Sequence, residues 1–162
     1  MIARLVRSAD FERVLRTRTR ASTQHFAVHH VADRPSVSAK AVTGKLSTGG
    51  LPIENLPVDE SKPMATPVAA FDAALEAVWL GAVVPKRHAR RSVTRTLLKR
   101  QIRAVVTGHL ATLAGGLWVV RLRGPFDRAR FASAASDELK RVVREELESL
   151  IGNAAQRVVA GA

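Results

Sequence analysis

Ala77-Val78-Trp79-Leu80-Gly81-Ala82-Val83-Val84-Pro85, running straight into Lys86-Arg87-His88-Ala89-Arg90-Arg91-Ser92-Val93-Thr94-Arg95-Thr96-Leu97-Leu98-Lys99-Arg100-Gln101-Ile102-Arg103, decides the architecture of this chain. The first part, from Glu76 to Val84, is a continuous apolar run of strand length, as expected of a central strand buried on both faces, and Pro85 ends it. The second part holds eight Lys or Arg in eighteen positions and no acidic residue. From about Ser92 it reads as a helix, with Leu98, Ile102 and Val105 on the buried stripe. A second apolar strand is predicted at Leu117 to Leu122, closed by Gly124-Pro125. Strand, basic helix and strand together form a βαβ-like unit.

Toward the N-terminus, Phe11, Val14 and Leu15 fall at i, i+3 and i+4, which predicts a short amphipathic helix over Leu5 to Arg16 with Ser8 or Asp10 as N-cap. His25 to Val31 reads as a strand in which Phe26 and Val28 alternate with the other side chains. Between Ala32 and Ala74 every period is broken by Pro35, Pro52, Pro57, Pro63 and Pro67, and the expectation there is a disordered insertion. Toward the C-terminus, Leu139, Val142, Val143, Leu147, Leu150 and Ile151 recur at helical spacing, so a surface helix is predicted over roughly Phe131 to Ile151. The tail after Gly152 is expected to fray. Residues 1–31 and 75–151 therefore form one domain, interrupted by the insertion 32–74 and followed by a flexible tail at 152–162. The element order gives an α+β or α/β fold with helices covering a small sheet.

Twenty-six Lys and Arg against fourteen Asp and Glu leave a net charge of +12 on 162 residues, the footprint of a polyanion binder. Lipid is the weaker partner: the apolar run Ala77 to Val84 is far too short to span a bilayer. Met1-Ile2-Ala3-Arg4-Leu5-Val6-Arg7 carries charge where a signal peptide needs its apolar stretch, so a cytoplasmic protein is expected. The chain has no cysteine, which excludes disulfides and thiolate metal ligands.

The basic helix carries the functional reading. Arg95, Lys99 and Arg103 share one stripe at i, i+4 and i+8, where like charges repel by a few tenths of a kcal/mol per pair. A solvated basic face is the plainer explanation, but solubility faces mix signs, and no Asp or Glu occurs between Val83 and Gly124. Lys86, Arg87, Arg90, Arg91, Arg95, Lys99, Arg100 and Arg103 are therefore the candidate nucleic-acid contacts. Six to eight phosphate contacts would give a slope of log K against log salt of roughly −4 to −7.

These residues resemble the bacterial ribonuclease P protein component. Its pattern is a buried strand of the form Leu-Gly-apolar-x-Val, a Lys-Lys pair, and a helix bearing Arg-Asn-Arg-apolar-Lys-Arg-x-x-Arg. Leu80-Gly81-Ala82-Val83-Val84, Lys86-Arg87 and Arg95-Thr96-Leu97-Leu98-Lys99-Arg100-Gln101-Ile102-Arg103 match it in order and spacing, with Thr96 in place of Asn and Leu97 in place of the second Arg. Arg4-Leu5 with Asp10-Phe11 and Val14 is similar to the family's opening helix, and Leu117-Trp118-Val119-Val120 with Gly124 to its strand after the signature.

The resemblance implies an α+β fold of about four strands covered by helices, with a left-handed βαβ crossover carrying the basic helix. It implies a subunit of the endoribonuclease ribonuclease P that matures the tRNA 5′ end by phosphodiester hydrolysis. The signature helix and nearby loop would face the catalytic RNA, and a cleft between the first helix and the sheet would take the single-stranded 5′ leader of precursor tRNA. In that cleft Phe11 and Phe26 are the candidate stacking surfaces, flanked by Arg13 and Arg16. Mg2+ would be bound by the RNA subunit and none by the protein.

No catalytic residue is expected on the chain itself. No nucleophile with its base, no phosphate-cradling Gly-rich loop and no metal-ligand set stands out. His25 and His29 lie about 13 Å apart on an extended strand at roughly 3.3 Å per residue, too far to share an ion. The rival reading is a non-catalytic DNA- or rRNA-binding basic module, which explains the charge but not the strand at fixed distance before the helix. A membrane-surface anchor fits less well, because the basic helix also carries polar residues and sits between strands.

Overall fold

The computed structural model describes residues 2–36 and 77–161. The strands are β1 (Ile2–Arg4), β2 (Thr19–Ser22), β3 (Phe26–Val31), β4 (Val78–Val83) and β5 (Gly116–Leu122). The helices are α1 (Ser8–Leu15), α2 (Ser92–Gly108) and α3 (Asp137–Ala160), with one 3-10 turn at Leu110–Thr112. The sheet order is β1-β4-β5-β3-β2. β1, β4 and β5 are parallel, while β3 runs antiparallel to β5 and β2 antiparallel to β3.

Two layers of helix enclose this sheet. On one face Val78, Leu80, Trp118, Val120, Leu122, Phe26 and Val28 pack against Leu98, Ile102 and Val105 of α2 and against Leu139, Val143, Leu147, Leu150 and Ile151 of α3. On the other, Val14 of α1 meets Leu5, Leu117 and Val119. Alternate residues of β5 thus enter different cores, which is why its sequence is apolar at nearly every position. β3 is buried on both faces for the same reason, not alternately exposed as its sequence pattern suggests.

The hand of the β4–α2–β5 crossover follows from L chirality. In a strand drawn upward, a residue whose side chain faces the viewer points its carbonyl to the right. Leu80 faces α2 and α3, and its carbonyl accepts from Leu5 N at 3.0 Å. Seen from those helices, β1 is therefore to the right of β4 and β5 to the left. A chain that rises through β4, crosses in front as α2 and enters β5 turns left-handed, against a rule obeyed by about 98% of such crossovers.

Several expectations are corrected. The sheet has five strands; β1 and β2 are the short edges. α1 starts at Ser8 with Arg7 as N-cap and no side-chain cap, because Asp10 is turned elsewhere. α3 begins at Asp137, capped by Ser136 Oγ accepting from Leu139 N at 3.2 Å, and Phe131 lies in the preceding loop. Nor does the chain fray after Gly152: the helix runs on to Ala160 because Ala154, Ala155 and Val158 continue its buried stripe. Of the expected insertion, residues 37–74 lie outside the described residues. Residues 32–36 are described and are tied to α1, with Ser36 N donating to Asp10 at 3.0 Å and Asp33 pairing with Arg13 at 2.9 Å.

At the lower end of the sheet His30 is only 2% exposed and meets the Trp118 ring in a tilted contact with ring centroids 4.4 Å apart. Its Nε2 lies 3.0 Å from Gly115 O and so carries the proton, while the buried Nδ1 has no partner among the described residues. Burial, with the nearby Arg20 guanidinium adding to it, holds the His30 pKa below the usual 6.5. The unfolded chain therefore binds the proton more readily. The stability His30 contributes is complete above pH 6.5 and is lost as pH falls through its lower folded pKa. Urea titrations across that range should show declining stability toward acid in the wild type and a smaller decline in His30→Asn.

Candidate nucleic-acid interface

The turn after β4 and the helix α2 bring the basic run together on one side of the molecule. Pro85 O accepts from both His88 N and Ala89 N at 3.1 Å, which turns the chain back over the sheet. Lys86, Arg87, Arg90, Arg91, Lys99, Arg100 and Arg103 are all exposed. None of them pairs with a carboxylate among the described residues, whereas Asp and Glu of α1 and α3 take up Arg13, Arg130, Lys140, Arg141 and Arg144. The positive potential is thus left unneutralised on α2 and its leading turn.

Arg95 differs from its neighbours. It is half-buried, and its Nη1 donates to Ala89 O at 3.0 Å and to Arg90 O at 2.7 Å. It closes the turn that presents Arg90 and Arg91, so its guanidinium is spent inside the protein. Arg95→Ala should cost about 1–2 kcal/mol, discounted for partial exposure from the usual range for charged hydrogen bonds. RNA affinity should fall while the salt slope stays as in the wild type. A slope shallower by about 0.7–0.9 would instead make Arg95 a phosphate contact.

Leu97, at the position where the resemblance leads one to expect an Arg, is 8% exposed and belongs to the main core. Thr96 is exposed and lines a groove of about 410 Å3 with Lys99, Arg100 and Arg103 of α2, Arg4 of β1 and Phe11 of α1. That groove brings the basic helix and one predicted leader residue to the same place.

The other leader candidates separate. Phe26 is fully buried on the opposite face, with its ring 6.0 Å from Phe126, and has no surface to offer a base. This corrects its assignment as a stacking platform: its sheet face is the one that α3 covers. Arg13 pairs with Asp33 at 2.9 Å and with Asp10 at 3.4 Å, and also donates to Arg34 O. Arg16 is exposed at the C-terminal cap of α1. Phe11 is half-buried and lies so close to Gly81 that an added Cβ would stand 2.8 Å from its Cζ. Glycine in β4 is what lets α1 approach.

Sequence reasoning missed two residues on the α1 face of the sheet. Val83, Arg121, Ala27 and Ser22 pair in one row across four strands. Arg121 is half-buried in that row between small or aliphatic neighbours, with no carboxylate partner among the described residues. Trp79 is half-buried lower on the same face, beside Val31 and Phe11 in the second core. The signal for both is the odd-numbered register of β4 and β5, which becomes readable only once α1 is known to cover part of that face.

The histidines take structural partners. His25 Nδ1 lies 2.8 Å from Glu146 Oε2, His29 Nδ1 lies 3.0 Å from Thr17 O, and His30 is held as described. No described helix is long and apolar enough to cross a membrane.

Comparison with known proteins agrees with this geometry. A family profile described as Ribonuclease P matches residues 2–146. The ribonuclease P protein component of Burkholderia pseudomallei is 38% identical over 79 residues, which cover 49% of this chain and 58% of that protein. The corresponding protein of Paraburkholderia xenovorans is 35% identical over 79 residues, covering 49% and 57%. The match thus spans less than two thirds of the length of these relatives. The RNase P protein of Staphylococcus aureus superposes with a TM-score of 0.51 at 17% identity, covering 93% of this chain and 94% of that one, a likeness of fold. With a profile match over most of its length, the chain belongs to the ribonuclease P protein family.

Proposed function

We propose that this protein is the RNA-binding subunit of ribonuclease P, which binds the catalytic RNA and the 5′ leader of precursor tRNA and assists endonucleolytic removal of that leader. The observation that carries this reading is the row of exposed cations on α2 and its leading turn, none of them paired with a carboxylate among the described residues. Lys86, Arg87, Arg90, Arg91, Lys99, Arg100 and Arg103 approach the phosphates of the catalytic RNA. The α1 face of the sheet, with Phe11, Trp79 and Arg121 and with Arg16 at the end of α1, takes the unpaired leader.

The hydrolysis belongs to the RNA, and the Mg2+ ions it requires are held there. The protein's contribution is to reduce repulsion between two polyanions and to fix the leader in place. That contribution is largest where the divalent-ion concentration is lowest and the RNA least screened. Precursor-tRNA cleavage by a bacterial ribonuclease P RNA, with and without this protein across a Mg2+ series, tests the reading. Strong stimulation at low Mg2+ that fades as Mg2+ rises is expected. Equal stimulation at every concentration, or none with folded protein, sinks it.

A further inference from the structure

β1 is only three residues long, and its ladder with β4 ends where Leu5 N reaches Leu80 O. Even-numbered residues of β4 aim their backbone groups at β1. Odd-numbered ones aim at β5, as the bond from Gly116 N to Ala77 O at 2.9 Å shows. Ala82 therefore directs its N–H and C=O past the end of β1, and neither has a backbone partner among the described residues. A strand edge left open in this way is a recognition element unless something covers it.

The surroundings of this gap indicate what covers it. The groove at Ala82 is bordered on one side by Phe11 and on the other by Thr96 of α2, and Val6, 78% exposed, stands at its mouth. Four cations, Arg4, Lys99, Arg100 and Arg103, ring it. Of these, Arg103 makes only a long bond to Ile2 O at 3.4 Å, and none has a carboxylate partner among the described residues. A volume of about 410 Å3 is within the range of small-ligand sites. One open residue is too short an edge for an added peptide strand, and the ring of cations selects a polyanion.

We propose that this gap is a pocket for one unstacked nucleotide of single-stranded RNA. Its base lies edge-on to β4, against Phe11 and Val6, and exchanges two hydrogen bonds with the N–H and C=O of Ala82. Every base carries a donor beside an acceptor on its Watson–Crick edge, so the pocket takes a nucleotide without fixing its identity. Its phosphates lie on Arg4, Lys99, Arg100 and Arg103. The inference rests on the RNA-binding reading above and adds to it a backbone reader placed between the helix and the sheet.

The test is amide hydrogen exchange by NMR on the 15N-labelled full chain, titrated with a short oligouridylate. The Ala82 amide signal should move, and its exchange should slow at least ~10-fold. Thr96→Phe fills the groove from an exposed helix position and should abolish that protection while the amides around Arg121 still respond. Unchanged exchange at Ala82 with clear responses around Arg121 overturns the pocket and leaves the RNA-binding reading standing, as does protection that survives Thr96→Phe. No response at any amide overturns both.

Discussion

Trp118→Ala is expected to lower folding stability by about 3–5 kcal/mol, the range for deleting a buried large aromatic. Trp118 is 1% exposed and lies on β5, the central strand, facing α2 and α3. Its indole Nε1 donates to Ala114 O at 2.9 Å, and its ring meets that of His30 in a tilted contact. Truncation would open a cavity, take the indole donor from the half-buried Ala114 carbonyl and remove a ring contact of His30. Denaturant unfolding followed by circular dichroism should show the midpoint drop with little change in m-value. A loss under about 1 kcal/mol would mean that the surrounding residues collapse into the space.

The second large effect concerns binding. Lys99, Arg100 and Arg103 are exposed on one side of α2, away from any carboxylate among the described residues. Replacing all three with alanine should therefore leave the fold intact. If each meets a phosphate, the slope of log K against log salt should become shallower by about 2 to 3 units, at roughly 0.7–0.9 per contact. Affinity at low salt should fall by the same contacts. Arg141, Arg144 and Lys140 on α3 serve as the comparison, because each already pairs with an Asp or Glu on its own helix. Equal losses from both triple substitutions would show that net charge matters and the face does not.

The contrast between Arg95 and Lys99 shows how far the sequence carries. Strand β4, helix α2 and strand β5 were legible because a doubly buried strand and an amphipathic helix write their periods directly into the residues. β1 and β2 were not, since Ile2-Ala3-Arg4 and Thr19-Arg20-Ala21-Ser22 are too short to show a period and gain their form from pairing. Gly152-Asn153 reads as a helix stop, yet the buried stripe of Ala154, Ala155 and Val158 overrides it. Within the interface, the cationic composition was plain from the sequence, but the division of labour was not. Arg95 and Lys99 stand one turn apart and look alike; only the path of the 85–91 turn sends the first to two carbonyls and leaves the second in solvent. Likewise Phe11 and Phe26 both read as aromatic platforms, and which face of the sheet each meets depends on pairings between distant strands.

The central position of β5 also orders events during synthesis. β5 pairs with β4 on one side and β3 on the other, so in the described sheet it joins the β1–β4 pair to the β2–β3 hairpin. Until residues 116–122 have left the ribosome, these two pieces have no common sheet, and Phe26, Val28, Val78 and Leu80 lack the β5 side chains Trp118, Val120 and Leu122 that share their core. Residues 2–36 and 77–108 therefore gain their shared sheet only with a strand delivered late, at about 5–20 residues per second of synthesis. Chain lengths ending just before β5 should be the most dependent on chaperones, and those ending just after it the first to resist protease.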